Sequence, residues 1–445
     1  MLEIIYIIIA LGLTILVHEV GHFATAKKMG ITVEKFSIGW GPKIASFTKN
    51  GTEYAISWLV FLGGYVKLAG EHPDEFDEKD ENGFLNQHPF KKIIVSVSGV
   101  ILNIVFAVFL MWVVFIAGTD TLKPQVGSVK KGYPAYAAGI QKGDIITVIN
   151  GKKIRYWSQL NDAIVKNGEK EISITVLRAG KEIDFKMVPK IEETEDIIKD
   201  KKKRPFVGIS PVTFLPVVED LKKGYPAESA GLKKGDRITE INGKRIVYWE
   251  DLLDAVEKNG EKQAVIKAAR NGEEKIFRIT PKMEETAEES GKKTNIPMLG
   301  IIPAGNVIKE RYNPVEAAAR AVNQTIFFTA LTVRAIYKMI ARKIEPDVAG
   351  PIGVVHITYK VAKTGVINLL LLFAIININL ALVNFLPLLP LDGGLTLMFV
   401  IEWIKGSPVS LKVQEVLMQF GWAFIIFLLI FFTYNDILRI FKGGF

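Results

Sequence analysis

The chain of 445 residues has no cysteine, which excludes disulfides and every thiolate-based metal or redox site. Histidine is nearly as scarce: five residues must supply any imidazole site. The N-terminus lacks the marks of a cleaved leader, since no basic segment precedes its apolar run and no small-residue cleavage site precedes His18. The segment is expected to be retained. Also missing is any basic helix interleaved with aromatic residues. The net charge of +9 comes from mixed Lys and Glu, so nucleic acid is excluded as a partner. The excess positive charge is assigned to a soluble surface and to lysines flanking membrane segments.

Apolar runs are plentiful. Hydrophobic residues make up 49% of the chain, and a mean hydropathy of +0.24 conceals very apolar ends and a charged middle. Four runs are long enough to cross a bilayer: Leu2–Ala26, Ile93–Gly118, Val366–Leu386 and about Val416–Tyr434. Lys27 and Lys28 close the first run, and Lys91 and Lys92 open the second. Residues 27–92 are therefore expected in the cytoplasm, and the long middle, 119–365, outside it. Lys405 and Lys412 suit a cytoplasmic loop over 387–415, whereas Arg439 and Lys442 count against an external C-terminus.

The first run carries His18-Glu19-Val20-Gly21-His22. Imidazoles four residues apart share a helix face, so both can bind one zinc ion, with the glutamate between them free to act on water at the metal. Such groups are costly inside a bilayer and usually mark function. With His22 five residues before Lys27, a rise of about 1.5 Å per residue sets the metal about 8–14 Å below the cytoplasmic boundary.

A catalytic zinc takes three protein ligands and keeps one open position. His72 and His88 fall in or beside the acidic stretch Glu71–Glu81 and read as solvated, and His356 falls on the other side of the membrane. Asp392 is the better third ligand. It follows Asn384-Phe385-Leu386-Pro387-Leu388-Leu389-Pro390-Leu391, where two prolines break the helix, and precedes Gly393-Gly394, which permit sharp turning. A helix broken at membrane depth must line a cavity or be buried in protein. The competing reading is an aspartate that caps the next helix.

The middle holds a duplication. Lys130-Lys131-Gly132-Tyr133-Pro134-Ala135 recurs 92 residues later as Lys222-Lys223-Gly224-Tyr225-Pro226-Ala227, and the offset holds through Tyr156-Trp157 and Tyr248-Trp249. Each copy reads as short strands around Asn-Gly turns, with one helix near Gln159–Lys166 or Asp251–Lys258. Ala138-Gly139-Ile140-Gln141-Lys142-Gly143-Asp144, followed by Ile149-Asn150-Gly151, resembles a PDZ domain, as does its counterpart from Ala230 to Gly243. Val207-Gly208-Ile209 and Leu299-Gly300-Ile301 then resemble the PDZ peptide-carboxylate loop, moved to the C-terminal end as in circularly permuted bacterial domains. The resemblance implies a peptide bound as an added strand. Empty spacers that gate access sterically remain an equal reading. Asn313–Lys343 reads as one helix, with Asn313 as N-cap and Pro314 at its first position. Its mixture of Phe327, Phe328 and Leu331 with Arg320, Arg334 and Lys338 suits the membrane surface, packing on the spans, or a plain structural helix.

Together these motifs resemble the site-2 protease family of intramembrane zinc metalloproteases, in its bacterial, sigma-E-regulating branch. The resemblance implies His18, His22 and Asp392 as zinc ligands and Glu19 as general base. Asn384 would contact the substrate backbone or stabilise the reacting state. Phe36-Ser37-Ile38-Gly39-Trp40-Gly41 resembles the family's Gly-x-Gly element, and Thr52–Leu68, with Gly63-Gly64-Tyr65, its membrane-re-entrant β-loop. The edge of such a hairpin could hold substrate extended, or the hairpin could merely plug the bundle. Ala349-Gly350-Pro351-Ile352-Gly353 also looks like the family, and Ser98-Gly99-Val100…Asn103 resembles a Gly-Pro-x-x-Asn element with Val100 in place of proline, which leaves a kink there in doubt.

The expected fold is a polytopic α-helical membrane protein with a re-entrant β-hairpin and two inserted, circularly permuted PDZ domains. Its parts are a first membrane part over 1–118 with a cytoplasmic hairpin loop at 30–92, PDZ domains over 119–212 and 213–304, an amphipathic or membrane-proximal helix over 305–348, and a second membrane part over 349–445. The expected activity is zinc-dependent cleavage of the transmembrane segments of single-span membrane proteins in the bacterial inner membrane, with the PDZ pair outside the cytoplasm. Expected substrates are a trimmed anti-sigma factor and signal-peptide remnants; membrane lipid and PDZ peptide ligands complete the partners. A non-enzymatic PDZ-presenting receptor and a metal transporter are the rival readings. The fixed place of Glu19 between the histidines and the broken third span suit hydrolysis better.

Overall fold

The computed structural model describes residues 2–71, 80–196, 198–287, 293–344 and 348–441; for residues 2–11, 61–62, 286–287 and 293 it gives the backbone alone. His72 and most of the acidic stretch beside it lie outside the described residues. The chain divides into two compact units, one of residues 1–119 with 311–445, the other of residues 120–310.

The first unit begins with helix α1 (Leu2–Lys28), followed by strands β1 (Val33–Lys49) and β2 (Thr52–Leu68) and helix α2 (Pro89–Ala117). The two strands form a hairpin that folds back on itself. Phe36 pairs with both Val66 and Tyr54, and Phe47 also pairs with Tyr54. The first half of β1 thus lies between the two halves of β2, and the segment 64–68 becomes an outer strand. Trp40, Ile44, Phe47 and Trp58 leave the far part of the hairpin apolar and exposed. Helix α2 runs without interruption through Val100, so the missing proline leaves no kink.

Between α2 and the rest of this unit the chain forms the second unit, whose helices are α3 (Pro134–Ala138), α4 (Trp157–Asn167), α5 (Pro226–Ser229) and α6 (Trp249–Asn259). Its elements repeat at the sequence offset: strands 145–149, 172–178 and 181–187 recur as 237–241, 264–270 and 273–279. Each copy closes its own core, around Ile146, Leu160 and Ile174 in the first and Ile238, Leu252 and Ile266 in the second. Each also buries one aspartate under a forked arginine. Arg178 donates to both oxygens of Asp144 at 2.7 Å, and Arg270 donates to Asp236 at 2.6 and 2.7 Å. Lys142 of the first copy lies over the ring of Tyr248 of the second, 3.9 Å from its centroid, and 3.5 Å from Glu250.

The first unit resumes with α7 (Pro314–Ile340), α8 (Pro351–Ala362), α9 (Val366–Asn384), α10 (Asp392–Lys405) and α11 (Leu411–Phe441). Asn313 caps α7, its side-chain oxygen accepting from the amides of Val315 and Glu316. Helix α7 packs on the bundle: Ala321 joins Met111 of α2 and Phe373 of α9 in one core, and Trp112 donates to the Pro314 carbonyl. Among the described residues α2, α9 and α11 are long and apolar enough to cross a membrane.

Two segments hold structure that the sequence did not disclose. The stretch 387–415, read as a cytoplasmic loop between spans, contains the helix α10, whose Leu395, Met398 and Phe399 pack with residues of α1, β1 and α2. Lys92, read as a cytoplasmic flank, is only 2% exposed and donates to both oxygens of Glu402 on α10 at 2.7 and 2.8 Å.

Candidate active site

The spacing of four places His18 and His22 on one face of α1, which packs on α2. The helices approach closely because glycines meet there. A Cβ on Gly21 would lie 2.6 Å from the Ser98 carbonyl, and one on Gly99 would overlap the His22 ring and lie 2.8 Å from His18 Cε1. Gly99 therefore makes room for both imidazoles, a role its sequence motif did not disclose.

Asp392 is the first residue of α10, behind the turn that ends α9. Gly393 and Gly394 allow that turn to press on the helix start: a Cβ on Gly394 would lie 2.5 Å from the Leu388 carbonyl carbon. Their contribution is close approach rather than the sharp bend expected, since both are ordinary helical residues. The aspartate is not the cap that the competing reading made it: Leu391 holds the N-cap position, and the Asp392 carboxylate reaches the histidines.

His18 Nε2, His22 Nε2 and Asp392 Oδ2 form a triangle with edges of 2.9, 3.2 and 3.5 Å. Donors held tetrahedrally at about 2.0–2.1 Å from zinc would be about 3.3 Å apart. Asp392 Oδ2 is buried yet has no hydrogen bond of acceptable geometry among the described residues, although His18 Nε2 lies 2.9 Å away. The three atoms lie close enough together to hold one metal ion. Outside this cluster, no other group of three His, Asp or Glu is close enough to hold an ion among the described residues. His22 Nδ1 lies 2.8 Å from the Val95 carbonyl, an acceptor only, so Nδ1 carries the proton and Nε2 keeps its lone pair for the metal. His88 is exposed and caps α2 instead, accepting from the Phe90 amide.

Glu19 Oε2 accepts from the Val66 amide at 3.2 Å, which sets the outer strand of the hairpin beside the motif. Gly63 and Gly64 are buried in that segment, and Tyr65 packs on Trp40 with ring centroids 4.8 Å apart. Asn384, on the last turn of α9, brings its side-chain nitrogen within 3.3 Å of His18 Nε2.

The residues matched to a PDZ loop lie in the second unit. Val207 and Gly208 offer their carbonyls to the amides of Ala135 and Lys130, and Leu299 and Gly300 theirs to Ala227 and Lys222. Beside Leu299, Gly300 and Ile301, a cavity of about 280 Å³ opens against Trp249, Leu252 and Val256 of α6.

Histidines and a carboxylate buried between apolar helices mark a metal-dependent membrane protein. The family model described as Peptidase family M50 matches residues 6–428, and the chain belongs to that family: it is a zinc metalloprotease of the site-2 protease type. The regulator of sigma-E protease RseP of Escherichia coli K12 is 31% identical over 445 residues, covering 97% of this chain and 98% of the relative. A Neisseria meningitidis serogroup A protein named as a zinc metalloprotease is 29% identical, with the same coverage. The Haemophilus influenzae regulator of sigma E protease is 30% identical over 447 residues, covering 97% of this chain and 98% of the relative. Among solved structures, the PDZ domain of an SdrC-like protein from Listeria monocytogenes matches 21% of this chain and 90% of its own, at 25% identity and a TM-score of 0.17.

Proposed function

We propose that this chain is an intramembrane endopeptidase that cuts the transmembrane segments of single-span membrane proteins, with His18, His22 and Asp392 holding zinc and Glu19 moving the proton. The observation that carries the proposal is the buried triangle of three donor atoms with Glu19 beside it on the same helix. Zinc, when bound, supplies Lewis acidity and brings the pKa of water toward neutrality. Glu19 takes a proton from the attacking water and delivers it to the leaving amine. Its Oε2 is held by the Val66 amide, which leaves Oε1 for that transfer. Asn384 directs its amide nitrogen at the same point and is assigned to the substrate carbonyl or the charge that develops there.

A helical substrate shields its peptide bonds, so cleavage needs local unwinding. The outer strand that carries Gly63, Gly64 and Tyr65 gives an unwound segment an edge to pair with, next to Glu19. The exposed apolar part of the hairpin supports its insertion into lipid. Helix α1 is assigned as a fourth span, residues 120–310 as two circularly permuted PDZ domains outside the cytoplasm, and the membrane as the bacterial inner membrane. The names of the sigma-E-regulating relatives support a trimmed anti-sigma factor as substrate, with signal-peptide remnants as a second class. The cavity beside Leu299–Ile301 supports peptide capture by the second PDZ copy.

The test is cleavage by purified protein of a single-span substrate, trimmed and untrimmed, with and without chelator. Wild type cuts the trimmed form and stops when chelated; Glu19→Gln keeps zinc and fold but does not cut. Normal cleavage by Glu19→Gln would overturn the assignment of the base.

A further inference from the structure

Asn103 is fully buried on the face of α2 that meets α1, with its side-chain nitrogen 3.3 Å from His18 Nδ1. Its Oδ1 has no hydrogen-bond partner among the described residues. The two ends of a carboxamide have the same shape, so the hydrogen bonding around them decides which faces the ring. His18 already directs Nε2 at Asp392 and His22. An imidazole that gives its Nε2 lone pair to a metal carries its proton on Nδ1, and that N–H needs an acceptor. With the nitrogen end of Asn103 toward the ring, two donors would oppose each other. A half-turn of the carboxamide puts Oδ1 on Nδ1–H. It exchanges one unpartnered end for the other and removes the opposition. His22 is served the same way by the Val95 carbonyl, two turns earlier on the same helix.

We propose that Asn103 is a positioning residue for the metal centre, its Oδ1 accepting from His18 Nδ1–H and fixing the tautomer whose Nε2 faces the metal. The proposal rests on the reading of His18 as a zinc ligand. One face of α2 then orients both histidines, with a main-chain acceptor for one and a side-chain acceptor for the other.

The test is zinc affinity of the purified full-length protein, measured by chelator competition with zinc alone, together with the visible spectrum of the cobalt-substituted form. Asn103→Leu removes the acceptor and is expected to weaken zinc binding by about 10- to 100-fold. Asn103→Asp restores an acceptor oxygen and is expected to bind zinc within about threefold of wild type, with the wild-type cobalt band that Asn103→Leu alters. If Asn103→Leu does not fold, Asn103→Ala makes the same comparison. Wild-type zinc affinity in the Leu or Ala variant, or an Asp variant as weak as these, would overturn the proposal. His18→Ala separates the two readings: if it keeps wild-type affinity, the ligand assignment fails; if it loses zinc while Asn103→Leu does not, only the role of Asn103 fails.

Discussion

The membrane unit and the duplicated insert use buried polar residues in opposite ways. In the insert they come in pairs. Asp144 with Arg178 and Asp236 with Arg270 are the same contact made twice, each with its carboxylate fully satisfied. Copying the fold copied them, so they belong to the fold. Among its described residues the membrane unit holds no such repeated pair, and several of its buried polar contacts join distant parts of the chain. Some are complete: Lys92 meets Glu402, and Asp436 of α11 accepts from the amides of Gly350 and Gly353 at the start of α8. Others are incomplete, among them Asp392 Oδ2, Asn103 Oδ1, Asn377 Oδ1 and Thr396 Oγ1. A satisfied polar group in an apolar bundle is an anchor. An unsatisfied one calls for a partner, an ion at Asp392 or a rotated carboxamide at Asn103, because leaving it bare costs about 1–3 kcal/mol.

This contrast can be broken by substitution. The largest effect is expected at Gly99, where a methyl group would overlap the His22 ring. Gly99→Ala should lose zinc and cleavage together while the insert folds normally; a zinc-replete, active Gly99→Ala protein would remove the close approach from the account. Next is the Lys92 anchor. Lys92→Met leaves Glu402 without its partner and should cost about 3–5 kcal/mol in thermal or denaturant unfolding, with most of the loss recovered in the Lys92→Met, Glu402→Leu double variant. Protein that stays folded should keep its zinc, which would separate anchor from chemistry.

In the insert, Arg178→Met and Arg270→Met should each lower stability by less than the Lys92 change, because the arginines are partly exposed. The two losses should be alike, and neither should change cleavage of a trimmed substrate. Unequal losses would show that the copies have diverged in what holds them. The smallest effect is on acid stability. Burial pushes the Asp236 carboxyl up, but the Arg270 guanidinium and the Lys233 amide outweigh it and hold the group below its ordinary value. Its contribution is therefore present above the unfolded pKa of about 3.9 and is lost as pH falls through the lower folded value. Unfolding of Arg270→Met protein should show a weaker acid dependence than wild type over that interval.

How much could be read in advance follows from the same contrast. The duplication was legible because turn residues and their spacing repeat, and one copy confirms the other. The histidine pair was legible because helix periodicity puts residues four apart on one face, and Asp392 because two prolines announce a broken helix. Asn103 and Gly99 were not assigned a role, since each is a single residue in an apolar helix whose partner lies on α1, about 80 residues away. The ion pair of Lys92 was hidden for the same reason: its carboxylate is 310 residues further on. Local pattern carries no information about which helix will face which. It was equally silent on α10, where Met398 and Phe399 become core only once α1 and α2 are beside them.

The central claim is that His18, His22 and Asp392 grip one zinc ion. The most direct measurement is the zinc content of purified wild-type and Asp392→Ala protein after dialysis against a mild chelator, with matched thermal unfolding to show that both are folded. One equivalent of zinc per wild-type chain, and almost none in folded Asp392→Ala protein, is the predicted result. Equal zinc in the two would contradict it.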